Sequence, residues 1–318
     1  MKTIALENFS IEDIPRGTTE RGYFSVGGGD TARMPFTVVR SDVPGPLVLI
    51  TAGVHAAEYT AIEAAMRLSR SSLELRSGAL VVVPIVNSRG FILRSIGINP
   101  SDGKNINRVF PGCWDGTESD RLAYVLFQRL VLASDYFIDM HSGDSNEDLS
   151  PFAFFHESSV PAKFLATQFG LPYMVGTEQP GFSCVEASRH GIPSILVEAG
   201  RSGRVEEAHV EQLLSGVRRV MCSIGMMGES LAETYPSPRE LKLEVVRARF
   251  SGLWYPELKA GDVVRKGEAL GRLTTLLGDE SFVPMSTGTG RVLFFVNSLA
   301  VNEGDVLCAF GKSEDDEW

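Results

Sequence analysis

The sequence predicts an α/β protein: a mostly parallel or mixed sheet with helices on both faces, followed by a small all-β domain of the barrel-sandwich kind. Two observations carry that prediction. Apolar runs of strand length alternate with amphipathic helical stretches over residues 45–225, which is how a sheet covered by helices reads. Near residues 235–238 (Tyr-Pro-Ser-Pro) the helical pattern stops, and short β runs separated by glycine take over.

Taken in order, residues 1–45 read as β structure. RMPFTVVR (33–40) is rich in β-branched residues, and Gly27-Gly28-Gly29-Asp30 supplies a turn before it. LVLITAG (47–53) is continuously apolar, as a strand buried on both faces must be. A helix over 59–70 follows, then a second buried strand, LVVVPIVN (80–87). Residues 120–134 read as a helix, 135–141 as a strand, 160–170 as a helix, 193–200 as a buried strand and 205–225 as a long amphipathic helix. Beyond residue 238, Ser251-Gly252 leads to Gly261-Asp262-Val263-Val264, and Thr289-Gly290 leads to Gly304-Asp305-Val306-Leu307. This weak internal echo suggests two similar β halves. The expected division is therefore an α/β domain over 1–235, opening with the β segment 1–45, and a β domain over 236–318. The acidic last residues, 312–318, are expected to fray.

The chain has 318 residues, 43% hydrophobic and 22% charged, which fits a globular protein and not a disordered one. Its formal charge of −10 argues against nucleic acid as a partner. No apolar run approaches the length of a membrane span, and the acidic N-terminal stretch lacks the apolar core of an export signal. A cytoplasmic location is the expectation. The four cysteines (Cys113, Cys184, Cys222 and Cys308) form no CxxC pair and read as free thiols.

Five histidines are present. His55 and Glu58, in TAGVHAAEYT, are three residues apart just past the first buried strand. If a helix begins near Ala57, both side chains fall on one side of its first turn. His141 closes the strand DYFIDMH. Ligands of open parallel sheets bind outside the carboxyl ends of strands, and all three residues fall there. Two histidines and one glutamate make a three-ligand zinc site with an open position for water. The HxxE spacing alone is weak, and His141 alone could be a core or capping residue; the shared placement gives the joint reading its force. Asp139 shares a strand face with His141 and could accept a hydrogen bond from a zinc-bound imidazole. Capping a neighbouring backbone explains it equally well. His156, His190 and His209 lack ligand-like spacing. Glu198 leaves the apolar strand SILVEAG at the same edge, where burial could bring its pKa into the range of a general base. A salt bridge to Arg201 or Arg204 is the competing reading. In NPSDGKNINRVFPG, Asn105, Asn107 and Arg108 cluster, and an arginine fork beside an amide donor suits a substrate carboxylate. Phe152, Phe154 and Phe155 suit a core or a pocket wall.

HAAE, NINRVFPG, DMH and ILVEAG, in that order, resemble the succinylglutamate desuccinylase/aspartoacylase family of zinc carboxypeptidase-like hydrolases, over residues 45–225. The trailing β domain fits its longer predicted-deacylase branch. The resemblance implies one zinc per chain on His55, Glu58 and His141, a carboxylate-holding pair Asn107 and Arg108, and Glu198 as the catalytic glutamate. An upstream arginine, Arg94 or alternatively Arg89, would help polarise the scissile carbonyl. Two departures stand out: Ala56 follows the first histidine where the family usually has Gly, and Asn105 stands where many members have Asp. The segment LKAGDVVRKGEALGRL resembles half of a biotinyl/lipoyl domain, but FVPMSTGTG offers Met285 and no lysine. Fold, and not carrier chemistry, is implied.

The expected activity is zinc-dependent hydrolysis of the amide of a small N-acyl amino acid. A peptide-cleaving metallocarboxypeptidase and a non-enzymatic binding protein on the same scaffold are the rivals. A mouth narrowed by the β domain would favour small substrates over peptides. That domain could instead serve a homo-oligomer contact.

Overall fold

The computed structural model describes residues 1–27, 33–228 and 237–313. The turn expected at Gly28–Asp30, the Tyr235-Pro236 boundary and the tail beyond residue 313 lie outside these. In chain order the strands and α-helices are β1 (Lys2–Ala5), β2 (Thr18–Ser25), β3 (Met34–Arg40), β4 (Leu47–Ala52), α1 (Tyr59–Arg70), β5 (Ala79–Val83), α2 (Ser88–Leu93), α3 (Glu118–Leu126), β6 (Tyr136–His141), β7 (Glu147–Leu149), β8 (Phe152–His156), α4 (Val160–Phe169), β9 (Tyr173–Thr177), α5 (Ser183–Arg189), β10 (Ser194–Glu198) and α6 (Glu207–Ser223). The remainder is strand: β11 (Arg239–Arg247), β12 (Gly252–Pro256), β13 (Val263–Val264), β14 (Gly271–Thr274), β15 (Ser281–Phe282), β16 (Gly290–Val296), β17 (Ala300–Val301) and β18 (Val306–Lys312).

The main sheet runs β1-β2-β3-β5-β4-β6-β10-β8-β9-β11-β18-β16-β13, with β7 paired to β16. It is mixed: β4, β5, β6 and β10 are parallel, whereas β8 runs antiparallel to β10. Helices cover both faces. Val48, Ile50 and Ile138 pack with Ala61 of α1, Leu165 of α4 and Val217 of α6. Leu49, Val81 and Phe137 pack on the opposite face with Leu122 and Leu126 of α3. Neighbouring residues of β4 therefore bury on opposite sides, which is why its sequence is apolar without alternation.

The expected helices exist with modest shifts. α3 begins two residues early because Thr117 and Asp120 form a capping box, and it ends in a π-helical turn, Phe127–Val131. Three strands, β7 to β9, and two short helices, α2 and α5, carry no pattern long enough to read from sequence. Phe155 is fully buried, while Phe152 and Phe154 line a cavity.

After residue 238 every described element is a strand. A four-stranded sheet, β15-β14-β12-β17, accompanies the end of the main sheet. No closed barrel forms among the described residues. Two local cores centre on Leu270 and Phe310 and on Trp254 and Leu307. β11 nonetheless continues the main sheet, pairing Arg239–Leu241 in parallel with Tyr173–Val175 of β9. Leu241 and Leu293 share a core with Phe152 and Val175. Among the described residues, no helix is long and apolar enough to cross a membrane.

Candidate active site

β4, β6 and β10 lie side by side, and their carboxyl ends form one edge. Gly53 turns the chain after β4 at φ 63°, with no room for a side chain because Ile85 backbone lies 3.1 Å from where a Cβ would sit. His55 and Glu58 then occupy the turn before α1, which starts at Tyr59, not at Ala57. Glu58 N–H donates to the His55 carbonyl, and this turn closure brings the two side chains together. Ala56 is fully buried within it.

His55 Nδ1 lies 2.7 Å from Glu58 Oε1, and His141 Nδ1 lies 3.0 Å from Glu58 Oε2. Ligand atoms of all three residues fall within 4.8 Å of one another. Glu58 and His141 are almost completely buried. Neither His141 nitrogen makes a well-aligned hydrogen bond among the described residues. A cation between the imidazole nitrogens and the carboxylate would satisfy these atoms, and the donor set is that of a catalytic zinc site. His55, Glu58 and His141 could therefore hold a metal ion.

The neighbours hold the imidazoles in place. His55 Nε2 is 3.0 Å from Asn105 Oδ1, which also accepts from Asn107 N–H. The Asn105 oxygen thus contacts His55, and the residue also lines the cavity beside Asn107 and Arg108. Asp139 Oδ2 lies 3.1 Å from His141 Nε2, and the carboxylate accepts from Thr51 and Ser183 hydroxyls. Burial disfavours a charged His141, but the Glu58 and Asp139 carboxylates outweigh it and raise the imidazole well above its usual pKa. Burial likewise opposes ionisation of Glu58, yet His141 and His55 hold its carboxyl down at about 2.

Glu198 ends β10 beside His141 in the parallel ladder. Its Oε2 is buried without a hydrogen-bond partner among the described residues. Burial first, and then the Glu58 charge, push its carboxyl up to about 8. Of the two expected competitors, Arg201 pairs with Glu206 at 2.9 Å, and no ion pair joins Glu198 to Arg204 among the described residues.

His55, Glu58, Asn105 and Glu198 line a cavity of about 560 Å³ together with Asn107, Arg108, Asp144, Asn146, Glu147 and Phe182. Asn107 is buried, its Oδ1 taken by Ser183 N–H, which leaves its amide NH₂ as a donor. The Arg108 guanidinium stacks over Phe182 at 4.4 Å. Gly181, at φ 82°, permits that packing, because a Cβ would lie 2.3 Å from the Arg108 carbonyl oxygen. Val245, Arg247, Phe294, Val301 and Asp305 of the C-terminal strands complete the wall. A neighbouring hollow of 900 Å³ contains no histidine among its lining residues, so the chemistry favours the smaller cavity.

The two arginine candidates fall elsewhere. Arg94 is exposed at the end of α2 and lines a different hollow with Tyr59, Phe91 and Val205. Arg89 faces Glu118 at 3.9 Å. The structure does not bring either to the His55–Glu58–His141 cluster; the arginines lining the cavity are Arg108 and Arg247. Arg247, Asp144 and Glu147 were missed from sequence. The dense polar run SGDSNED directly after His141 was the available signal for the two acids.

The succinylglutamate desuccinylase/aspartoacylase catalytic domain model matches residues 44–224. The chain belongs to that family. N-alpha-acetyl-L-2,4-diaminobutyric acid deacetylase from Halomonas elongata is 29% identical over 255 residues, covering 76% of this chain and 73% of the relative. A succinylglutamate desuccinylase/aspartoacylase from Rhodobacter sphaeroides superposes with a TM-score of 0.81 at 27% identity, over 95% of this chain and 98% of that one. The product-bound ectoine utilization protein EutE (DoeB) from Ruegeria pomeroyi gives 0.83 at 25% identity, over 94% and 98%. Like these family members, the chain has the C-terminal strand-rich region as part of the shared fold.

Proposed function

We propose that this protein is a zinc-dependent amidohydrolase that removes an acyl group from the nitrogen of a small amino acid. The observation that carries the reading is the convergence of His55, Glu58 and His141 beside a cavity whose lining includes His55, Glu58, Glu198, Asn107 and Arg108. Membership in a family of deacylases supports it, as does the likeness to a deacetylase of an acetylated amino acid. His55, Glu58 and His141 would hold one zinc, which supplies Lewis-acid polarisation of the amide and a more acidic water. Glu198 accepts the proton of the attacking water and delivers it to the leaving nitrogen. Arg108 and the Asn107 amide grip the carboxylate and so aim the amide carbon at the water.

A volume near 560 Å³, walled by the C-terminal strands, suits a small molecule better than an extended peptide. A screen of N-acyl amino acids, with and without chelator, tests the proposal. Chelator-sensitive release of a free amine is the expected result. Release of C-terminal residues from peptides, with no action on N-acyl amino acids, would replace it with the carboxypeptidase reading.

A further inference from the structure

The hollow of about 900 Å³ opens directly beside the cavity that Glu198 and Arg108 line. Phe154, Thr177, Gln179, Leu243 and Val245 line both, so the two spaces share a wall. Most of the hollow's lining comes from β8, β9 and β11 and from the turns after β8 and β9. In the sheet these strands lie beyond β10, on the side away from β4 and β6. A row of rings leads toward them. Phe152 stands opposite Glu198 in the antiparallel ladder, and its ring meets Phe154 edge-on at 4.9 Å. Phe154 in turn meets Phe182 at 5.8 Å, and the Arg108 guanidinium stacks over Phe182. Phe154 therefore connects both the proton-accepting carboxylate and the carboxylate-holding guanidinium of the proposed reaction to the hollow.

The shared wall is largely apolar. Phe154 and Leu243 are half-buried, and Val245 is 41% exposed. Charged groups surround this strip, but they balance: Glu157, Glu178 and Glu240 stand against Arg239, Lys242 and Lys312. Several are already paired, Glu178 with His156 at 2.8 Å, Glu240 with Lys163 at 2.6 Å, and Lys312 with Glu244. Such a rim has no excess charge with which to select an ion, whereas the apolar strip gains when it is covered. The sheet order decides which part of a substrate covers it. The scissile carbonyl belongs at the His55–Glu58–His141 edge, so the acyl group lies toward β4 and β6. The carboxylate belongs at Arg108. The amino-acid side chain shares a carbon with that carboxylate, and it is the part that continues toward Phe154.

We propose that Phe154, Leu243 and Val245, with the hollow beyond them, form a side-chain subsite, so that the preferred substrates are N-acyl amino acids with a long, uncharged, apolar side chain. The inference rests on the deacylase reading above and adds the class of side chain. It also gives the C-terminal strand β11 a part in substrate choice, because Leu243 and Val245 belong to it.

The test compares kcat/KM of the zinc-loaded protein for Nα-acetyl-2-aminooctanoate, Nα-acetylalanine and Nα-hexanoylalanine. Each methylene taken from water contributes about fourfold. The wild-type protein should therefore favour the aminooctanoate over the alanine substrate at least about tenfold, with no comparable gain from the hexanoyl group. Two substitutions at exposed positions probe the subsite: Val245→Asp places a charge on the strip, and Lys242→Trp adds bulk to the hollow. Each should lower the preference at least about threefold, chiefly through the long substrate. Equal wild-type values for the two acetylated substrates would overturn the subsite while leaving the deacylase reading intact. A gain from the hexanoyl group alone would overturn it in favour of an acyl-chain site. A loss shared equally by both acetylated substrates in the two variants would overturn it as well, marking the strip as structural. Failure to hydrolyse any N-acyl amino acid would remove both readings.

Discussion

Glu198 stands next to His141 across the parallel ladder, each the last residue of its strand. Adjacent strand ends give the carboxylate and the imidazole a rigid common base. In the proposed reaction, that placement separates the proton-accepting carboxylate from the metal-holding imidazole by one inter-strand step.

Glu198→Gln keeps the shape and removes the proton acceptor. Its kcat should fall by about 10²–10⁴-fold, the usual contribution of a general base. Bound zinc and melting temperature should stay near the wild-type values. Normal turnover with lowered thermal stability would make Glu198 a structural anion.

Arg108→Ala should weaken kcat/KM by about 1.5–3 kcal/mol, as expected for a charged hydrogen bond. The loss should shrink when the substrate carboxylate is replaced by a carboxamide. Steady-state kinetics on the two substrates checks this; equal losses on both would contradict a carboxylate contact.

Asn105→Ala should lower zinc affinity by about 10–100-fold, because His55 loses the acceptor that fixes its ring. Competition with a chromophoric chelator measures this directly. Unchanged affinity together with a raised KM would return Asn105 to the substrate side.

Zinc binding should strengthen as pH rises. In the metal-free site the Glu58 and Asp139 carboxylates hold the His141 proton well above the ordinary histidine range. A proton on His141 must leave before its nitrogen can ligate, so binding releases protons. The sign follows: acid favours the protonated empty site, and affinity falls as pH drops. Calorimetry in buffers of different ionisation enthalpy reads the proton count, and no release between pH 6 and 8 would contradict the assignment.

The layout of the sheet was legible because β4, β5, β6 and β10 are buried on both faces, and such strands have no choice but to be apolar. The polar cluster was legible for a related reason: His55, Glu58, His141 and Glu198 interrupt apolar sequence at strand ends, where polarity has no packing rationale. The short strands β7 to β9 were not, since three to five residues carry too little periodicity to distinguish strand from loop. Nor was Arg247. Its place in the cavity depends on β11 pairing with β9 across more than sixty residues of sequence, and no local pattern encodes that. Arg94 failed because spacing to the Asn-Arg pair says nothing about direction. The chain leaves α2 at Arg94 in a left-handed conformation, φ 56°, and the side chain is exposed in the hollow beside Tyr59, Phe91 and Val205.

The measurement closest to the centre of the account is amide hydrolysis by metal-stripped protein titrated with zinc, using Nα-acetyl amino acids, alongside His55→Ala. The account predicts no activity in the stripped protein and recovery that saturates at one zinc per chain. It also predicts that His55→Ala neither retains the metal nor recovers. Full activity in the stripped protein, or full zinc occupancy in His55→Ala, would contradict it.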